Sequence, residues 1–237
     1  MPLAAEQFIA GLKNALESKK AFHDHPWVKK FERGELTREQ VRHWIEQQNY
    51  VTGLGINVIM GGLYAKCADL ETRQEIVESL IEEETGKISG TAPHPELYIR
   101  LGEALGSSRE RMLNIKPIPE ARALRGWYEL MMSPTRSFAE GLAMGVGGES
   151  QLPGPAGVFA RVLEEKYGLS HEDSAFWWVH DSMDREHSEA AFQVLARVAN
   201  TDETQKRVQD AVLGYLDLWW LFFDGLERSS GAAARVA

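Results

Sequence analysis

The sequence predicts an all-α fold in a single domain, on three observations. Apolar residues recur at helical spacing along most of the chain, as in Phe8, Ile9, Leu12 and Leu16. No strand-period alternation runs beyond about four residues. Caps and breakers such as Gly34, Thr37, Asp69, Gly86, Gly106, Pro134 and Pro153 cut the chain into pieces of helix length. At 237 residues the chain is long enough to bury a good core and is most economically one domain.

Taken in order, residues 5–20 form a first helix, which the run His23-Asp24-His25-Pro26-Trp27 breaks. Residues 28–33 make a short helix stopped by Gly34, and Thr37 caps a long one over residues 38–67. The middle of that helix holds Gly53, Gly55, Gly61 and Gly62. Each costs a helix interior about 1 kcal/mol relative to alanine, so close approach of another backbone or a ligand is expected there. Asp69 opens a helix over 70–85 that ends at Gly86, and after a loop a helix over 95–105 closes at Gly106. Residues 107–119 read as loop; helices follow over 120–132, 135–150, 156–167, 171–199 and 202–228. The segment 229–237 is small and polar enough to be a disordered tail, which leaves 1–228 as the domain.

Composition excludes several classes. A net charge of −9 without any basic run argues against a nucleic-acid surface. The single cysteine, Cys67, rules out a disulfide framework or a thiolate metal site and fits a reducing cytoplasm. No apolar run reaches membrane-spanning length, and the N-terminal residues lack the charged-then-apolar order of a signal peptide.

The chemistry is declared by His180-Asp181-Ser182-Met183-Asp184-Arg185-Glu186-His187. On a helix His180, Asp184 and His187 share one face within roughly sixty degrees. Phe176, Met183, Ala191 and Val194 lie on the same stripe, so the face is buried. Two imidazoles and a carboxylate among apolar groups are costly unless something pairs with all three. A divalent metal does so, and N,N,O ligation suits iron, manganese or zinc.

Further candidates stand on other helices. Taking Ile76, Val77, Leu80 and Ile81 as the buried face of helix 70–85 puts Glu84 near its centre, Glu83 at its edge and Glu82 behind. His94 is in register with Leu97, Tyr98, Leu101 and Leu105, and Glu149 follows Phe138, Leu142 and Gly145. Helical bundles build dinuclear metal sites from carboxylates and histidines arranged in this way. Tyr50, Asn57, Trp177 and His25 are candidates to line the pocket.

These residues resemble a known family. The set Glu84, His94-Pro95-Glu96-Leu97, Glu149-Ser150-Gln151-Leu152-Pro153 and His180-x-x-x-Asp184-x-x-His187 is similar to the haem-oxygenase-like di-iron oxidases, which include chlamydial proteins that associate with death domains. The resemblance spans roughly residues 20–228 and implies a seven-helix haem-oxygenase-like bundle. It implies two ferrous ions held by Glu84, His94, Glu149, His180, Asp184 and His187, with manganese or a single metal as alternatives. Glu84 and Glu149 are then the catalytic carboxylates. Activation of O2 would oxidise a small substrate, by N-oxygenation, desaturation or carbon–carbon cleavage of an amino acid or fatty acid.

Pyrroloquinoline quinone synthases resemble the chain at Leu101–Gly106 and Asp184-Arg185-Glu186-His187, and give a cofactor-independent alternative. The 4-aminobenzoate-forming branch sacrifices a tyrosine of its own and uses a lysine; Val28 and Phe159 stand at those positions here, which argues against that reaction. Thiaminase-type relatives use a cysteine nucleophile, for which Cys67 is misplaced. The aromatic-rich last helix (Trp219, Trp220, Phe222, Phe223) fits either a core helix or a dimer face. It leaves a homodimer, or a non-enzymatic interaction module, as further expectations.

Overall fold

A computed structural model describes the backbone of residues 1–233 and their side chains apart from those of residues 149, 182–189 and 231–233. The helices are α1 (Ala5–Ser18), α2 (Ala21–Asp24), α3 (Pro26–Glu32), α4 (Arg38–Val51), α5 (Ile56–Lys66), α6 (Leu70–Thr85), α7 (His94–Ala104), α8 (Arg109–Leu113), α9 (Pro119–Met132), α10 (Phe138–Glu149), α11 (Pro155–Tyr167), α12 (Ala175–Val198) and α13 (Asp202–Ala233). No strand occurs among the described residues. The pieces outnumber the seven helices expected because several are one or two turns long and one long helix is divided.

That division is a correction to the reading of residues 38–67. α4 ends at Val51, a 3-10 turn spans Gly53–Gly55, and α5 starts at Ile56. Three of the four glycines are there for close approach: Gly53 and Gly55 of side chains, and Gly62 of Met132, backbone included, whereas nothing lies within 4 Å of a Cβ on Gly61. A Cβ on Gly53 would stand 2.8 Å from the Tyr98 ring, and one on Gly62 would stand 2.7 Å from Cβ of Met132. Two other boundaries move. Arg109–Leu113 is helical within the expected loop, capped by Ser108. α13 continues through Ala233, with the Ser229 hydroxyl bonded to Leu226 O and to the His43 ring. Residues 229–233 are therefore helical rather than tail, and 234–237 lie outside the described residues.

Local chemistry explains the remaining ends. Thr37 and Gln40 form a reciprocal capping box that starts α4, and Ser137 and Glu140 do the same for α10. Asp69 accepts from the Thr72 amide at 2.8 Å to start α6. At its other end Gly86, with φ +62°, takes the left-handed conformation that only glycine adopts without strain. The chain then folds back on itself, with the Thr91 amide donating to Gly86 O.

α10 lies against both α12 and α13, α9 against α13, and α11 against α12. The centre is a linked set of rings. Trp44 meets Phe31 at 5.0 Å and Phe159 at 5.4 Å, and Phe159 meets Trp177 at 5.1 Å. Contacts of this geometry contribute about 0.5–1.5 kcal/mol each beyond their area. Trp219, Phe222 and Phe223 belong to this core, while Trp220 is half-buried against it. No helix among the described residues is long and apolar enough to cross a membrane.

Candidate metal centre

Glu83, His94 and His180 come together from α6, α7 and α12, each offering a ligand atom within 4.8 Å of the others. The turn at Gly86 is what brings the first residue of α7 beside the last turn of α6. His94 is 5% exposed and packs its ring 5.0 Å from that of His180. Phe176 stacks on His180 from the same helix at 4.2 Å.

Hydrogen bonds decide which nitrogen of each imidazole faces the cluster. Nε2 of His94 pairs with Glu82 Oε1 at 3.3 Å, while its Nδ1 stands 2.8 Å from Glu83 Oε2 without hydrogen-bond alignment. Nδ1 of His180 donates to the Phe176 carbonyl at 2.8 Å, which leaves Nε2 as its lone-pair atom. A histidine whose other nitrogen donates to a carboxylate or a carbonyl is the usual arrangement around a bound metal. The unpaired Nδ1 of His94 and the neighbouring Glu83 oxygen thus fit a cation as their common partner.

The charge state of His180 agrees with this, whereas that of His94 depends on the carboxylates beside it. Depth in the protein, with His94 adding to it, pushes the His180 pKa down to about 4, so the ring is neutral and able to ligate. Burial works against charge on His94 as well, but the Glu83 and Glu82 carboxylates outweigh it and hold its pKa above the ordinary value. Glu82 is buried and stays ionised because the Ser89 and Ile88 amides, at 3.0 and 2.8 Å, donate to its Oε2. It anchors the loop that delivers His94.

Beside the cluster lies a cavity of about 170 Å³. α6, α7 and α12 give it Ser79, Glu83, His94, Tyr98 and His180; α4 and α5 add Thr52 and Ile59; α9, α10 and α13 add Tyr128, Met144, Gly145 and Trp219. Tyr98 is held by Gln48 Nε2 at 3.2 Å and Thr52 Oγ1 at 2.9 Å, and Gln48 in turn accepts from Trp44 Nε1. Burial raises the Tyr98 pKa strongly, keeping it a neutral phenol.

Of the six expected ligands, His94 and His180 are brought together. Glu84 is not: it is exposed, and Glu83 takes the place assigned to it. Of the apolar stripe chosen from sequence, Ile76 is buried and Leu80 packs against the core, but Val77 and Ile81 face outward; Thr72, Ser79 and Glu83 share the inward side with Ile76. Glu149, Asp184 and His187 carry side chains outside the described residues. None of Tyr50, Asn57, Trp177 and His25 lines the cavity: Asn57 is exposed, Trp177 is core, and His25 caps α3 through its ring. Gln48, Thr52 and Glu82 were missed, although the polar run Gln47-Gln48-Asn49 in an otherwise amphipathic helix was a signal.

Residues 42–220 match the family described as iron-containing redox enzyme. A 4-aminobenzoate synthase of Nitrosomonas europaea is 30% identical over 86% of this chain and 85% of its own length. A pyrroloquinoline-quinone synthase of Cronobacter sakazakii is 26% identical over 90% of this chain and 84% of its own. A solved domain from Shewanella denitrificans with a haem-oxygenase-like fold superposes with a TM-score of 0.75 at 16% identity, covering 100% of this chain and 97% of that one. The fold is thus haem-oxygenase-like.

Proposed function

Because the chain belongs to the family of iron-containing redox enzymes, we propose that it is a non-haem di-iron oxidase that uses O2 to oxidise a small substrate by N-oxygenation, desaturation or carbon–carbon cleavage. The observation that carries this reading is the convergence of Glu83, His94 and His180, with an unpaired imidazole nitrogen, on the wall of a cavity. Glu149, Asp184 and His187 complete the proposed ligand set.

Bound iron would supply the electrons for O2 reduction and Lewis acidity toward substrate. The protein's own part follows from its geometry. Glu82 keeps the proton on Nε2 of His94 and so presents Nδ1; the Phe176 carbonyl does the same service for Nε2 of His180. Phe176, Val179 and Met144 give the cavity apolar walls, and Tyr98, a neutral phenol held by Gln48 and Thr52, lines it with the cluster. The partners in this reading are O2 and a small molecule, with no nucleic acid or membrane. A cytoplasmic setting belongs to it and is supported by the lone Cys67, buried and free. A homodimer is part of the same reading; of the α13 aromatics, Trp219, Phe222 and Phe223 lie in the core and Trp220 is half-buried.

Anaerobic titration with Fe2+, then exposure to air, tests the proposal. Binding of two equivalents and O2 consumption that a strong chelator stops and Fe2+ restores are expected. Asp184→Ala and His187→Ala should each lower iron binding and abolish O2 uptake while far-ultraviolet circular dichroism is kept. Activity that persists in excess chelator would return the chain to the cofactor-independent chemistry of the quinone synthases.

A further inference from the structure

Gly145 stands inside α10 with nothing within 4 Å of the position a Cβ would occupy. Glycine disfavours a helix interior relative to alanine, so a reason is needed for its place there. Two other α10 glycines are accounted for by protein: a Cβ on Gly141 would meet Lys66, and one on Gly147 would meet the Tyr215 ring at 3.1 Å; Gly148 lines the cavity with Gly145, but a Cβ on it would touch the Tyr215 hydroxyl at 3.4 Å. Gly145 meets nothing because it borders the cavity, so the space over it belongs to whatever the cavity holds.

A second observation points the same way. Trp219, 2% exposed, lines the cavity, and its indole Nε1–H has no acceptor among the described residues. It lies near enough to help hold down the Tyr128 hydroxyl, which burial pushes up to about 12, but is not aligned to bond it. A buried N–H left unpaired is costly, and a ligand acceptor would relieve it. Charge narrows the class further. No lysine or arginine lines the cavity among the described residues; its charged and imidazole side chains are Glu82, Glu83, His94 and His180, all at the metal cluster. An anion against Trp219 would be desolvated with no lysine or arginine of the described lining to pair with it. The volume, about 170 Å³, is close to that of an engineered cavity that takes up benzene.

We propose that the cavity takes a small uncharged molecule, about one ring in size, whose hydrogen-bond acceptor is held by the Trp219 indole N–H while Gly145 sets the limit on its bulk. This rests on the oxidase reading for the role of the cluster, and it names the substrate class of that site.

The test uses the full chain loaded with Zn2+ as a diamagnetic substitute for iron, with 15N-labelled tryptophan. The probes are acetophenone, isopropylbenzene of nearly the same shape without an acceptor, benzoate, and two-ring 1-acetylnaphthalene. The Trp219 indole resonance is assigned by its absence in Trp219→Phe. Acetophenone is expected to shift that resonance and to bind about fivefold tighter than isopropylbenzene, a preference that Trp219→Phe removes. Gly145→Ala is expected to raise the melting temperature and weaken acetophenone, and Gly145→Leu to abolish it. 1-Acetylnaphthalene is expected not to bind. Equal binding of acetophenone and isopropylbenzene, tighter binding of benzoate, or unchanged binding in Gly145→Ala and Gly145→Leu would overturn the proposal. Failure to bind Zn2+ or Fe2+ at all would instead count against the oxidase reading, whereas metal uptake with no probe binding sinks this inference alone.

Discussion

Oε2 of Glu83 stands 2.8 Å from Nδ1 of His94, across a turn that Gly86 makes possible between α6 and α7. The two atoms are close without being aligned for a hydrogen bond, which is how ligands aimed at a common third partner stand. Glu84, one residue on, faces solvent. Glu83→Gln is therefore expected to weaken Fe2+ binding at least about tenfold, and Glu84→Gln to leave it within error, by anaerobic equilibrium dialysis. Equal losses in the two variants would remove Glu83 from the ligand set.

Glu82 has a different task. Its carboxylate joins two backbone amides of the loop to the far nitrogen of His94. Hydrogen bonds to a charged group contribute about 1.5–3 kcal/mol, so Glu82→Ala should cost about 2 kcal/mol in urea denaturation. It should also weaken metal binding about ten- to a hundredfold without removing a ligand. Full iron affinity in a destabilised Glu82→Ala protein would show that the carboxylate serves the loop alone.

What was legible in the sequence, and what was not, follows from α6 and α4. Helices were readable because their caps are local: Thr37, Asp69 and Gly86 act within their own turn. The break between α4 and α5 was hidden because Gly55 answers to Arg125, and Gly53 to Tyr98 as well as to Asn49 one turn back, so part of the cause is distant in sequence. At one position of the candidate site, the choice between Glu83 and Glu84, the sequence could not decide for a related reason. The apolar stripe of α6 is split: Ile76 and Leu80 turn inward, while Val77 and Ile81 are exposed. A wheel measures apolarity, whereas burial here follows the cluster: Thr72 is engaged by Asp69, and Glu83 by His94. His94 and His180 were found because buried imidazoles on apolar helices are rare enough to stand out.

His25 gives a pH prediction away from the cluster. Its Nδ1 accepts from the Trp27 amide and caps α3, and its Nε2 faces Asp224 at 3.2 Å. Burial lowers its pKa, although Asp224 and Glu227 pull the other way. In the unfolded chain a histidine titrates near 6.5. With the folded value lower, the unfolded state binds the extra proton first as pH falls. The stability this group contributes is present above about pH 6.5 and is lost as pH falls toward its folded value. His25→Asn keeps a capping oxygen and has no proton to gain, so its stability should fall less steeply below pH 6.5 than that of the parent. His43 and His180 are shifted in the same sense, so part of the slope will remain. Identical slopes in chemical denaturation series at pH 7.5, 6.5 and 5.5 would refute the assignment.

The last prediction concerns the 4-aminobenzoate synthase that the chain matches at 30% identity. The resemblance to the 4-aminobenzoate-forming branch places a sacrificed tyrosine and a lysine at positions held here by Val28 and Phe159. Both side chains are wholly buried, and Phe159 is ringed by Phe22, Phe31, Trp44 and Trp177 at 5.1–6.4 Å. Neither carries a nitrogen or oxygen that could enter a product. Incubated with Fe2+, a reductant and air, the chain is expected to form no 4-aminobenzoate and to keep its intact mass. Phe159→Lys is not expected to restore the reaction, since it removes an aromatic hub worth about 3–5 kcal/mol and buries an unpaired ammonium. Mass spectrometry of product and protein decides it: 4-aminobenzoate appearing together with loss of mass from the chain would mean that another tyrosine takes the sacrificial role.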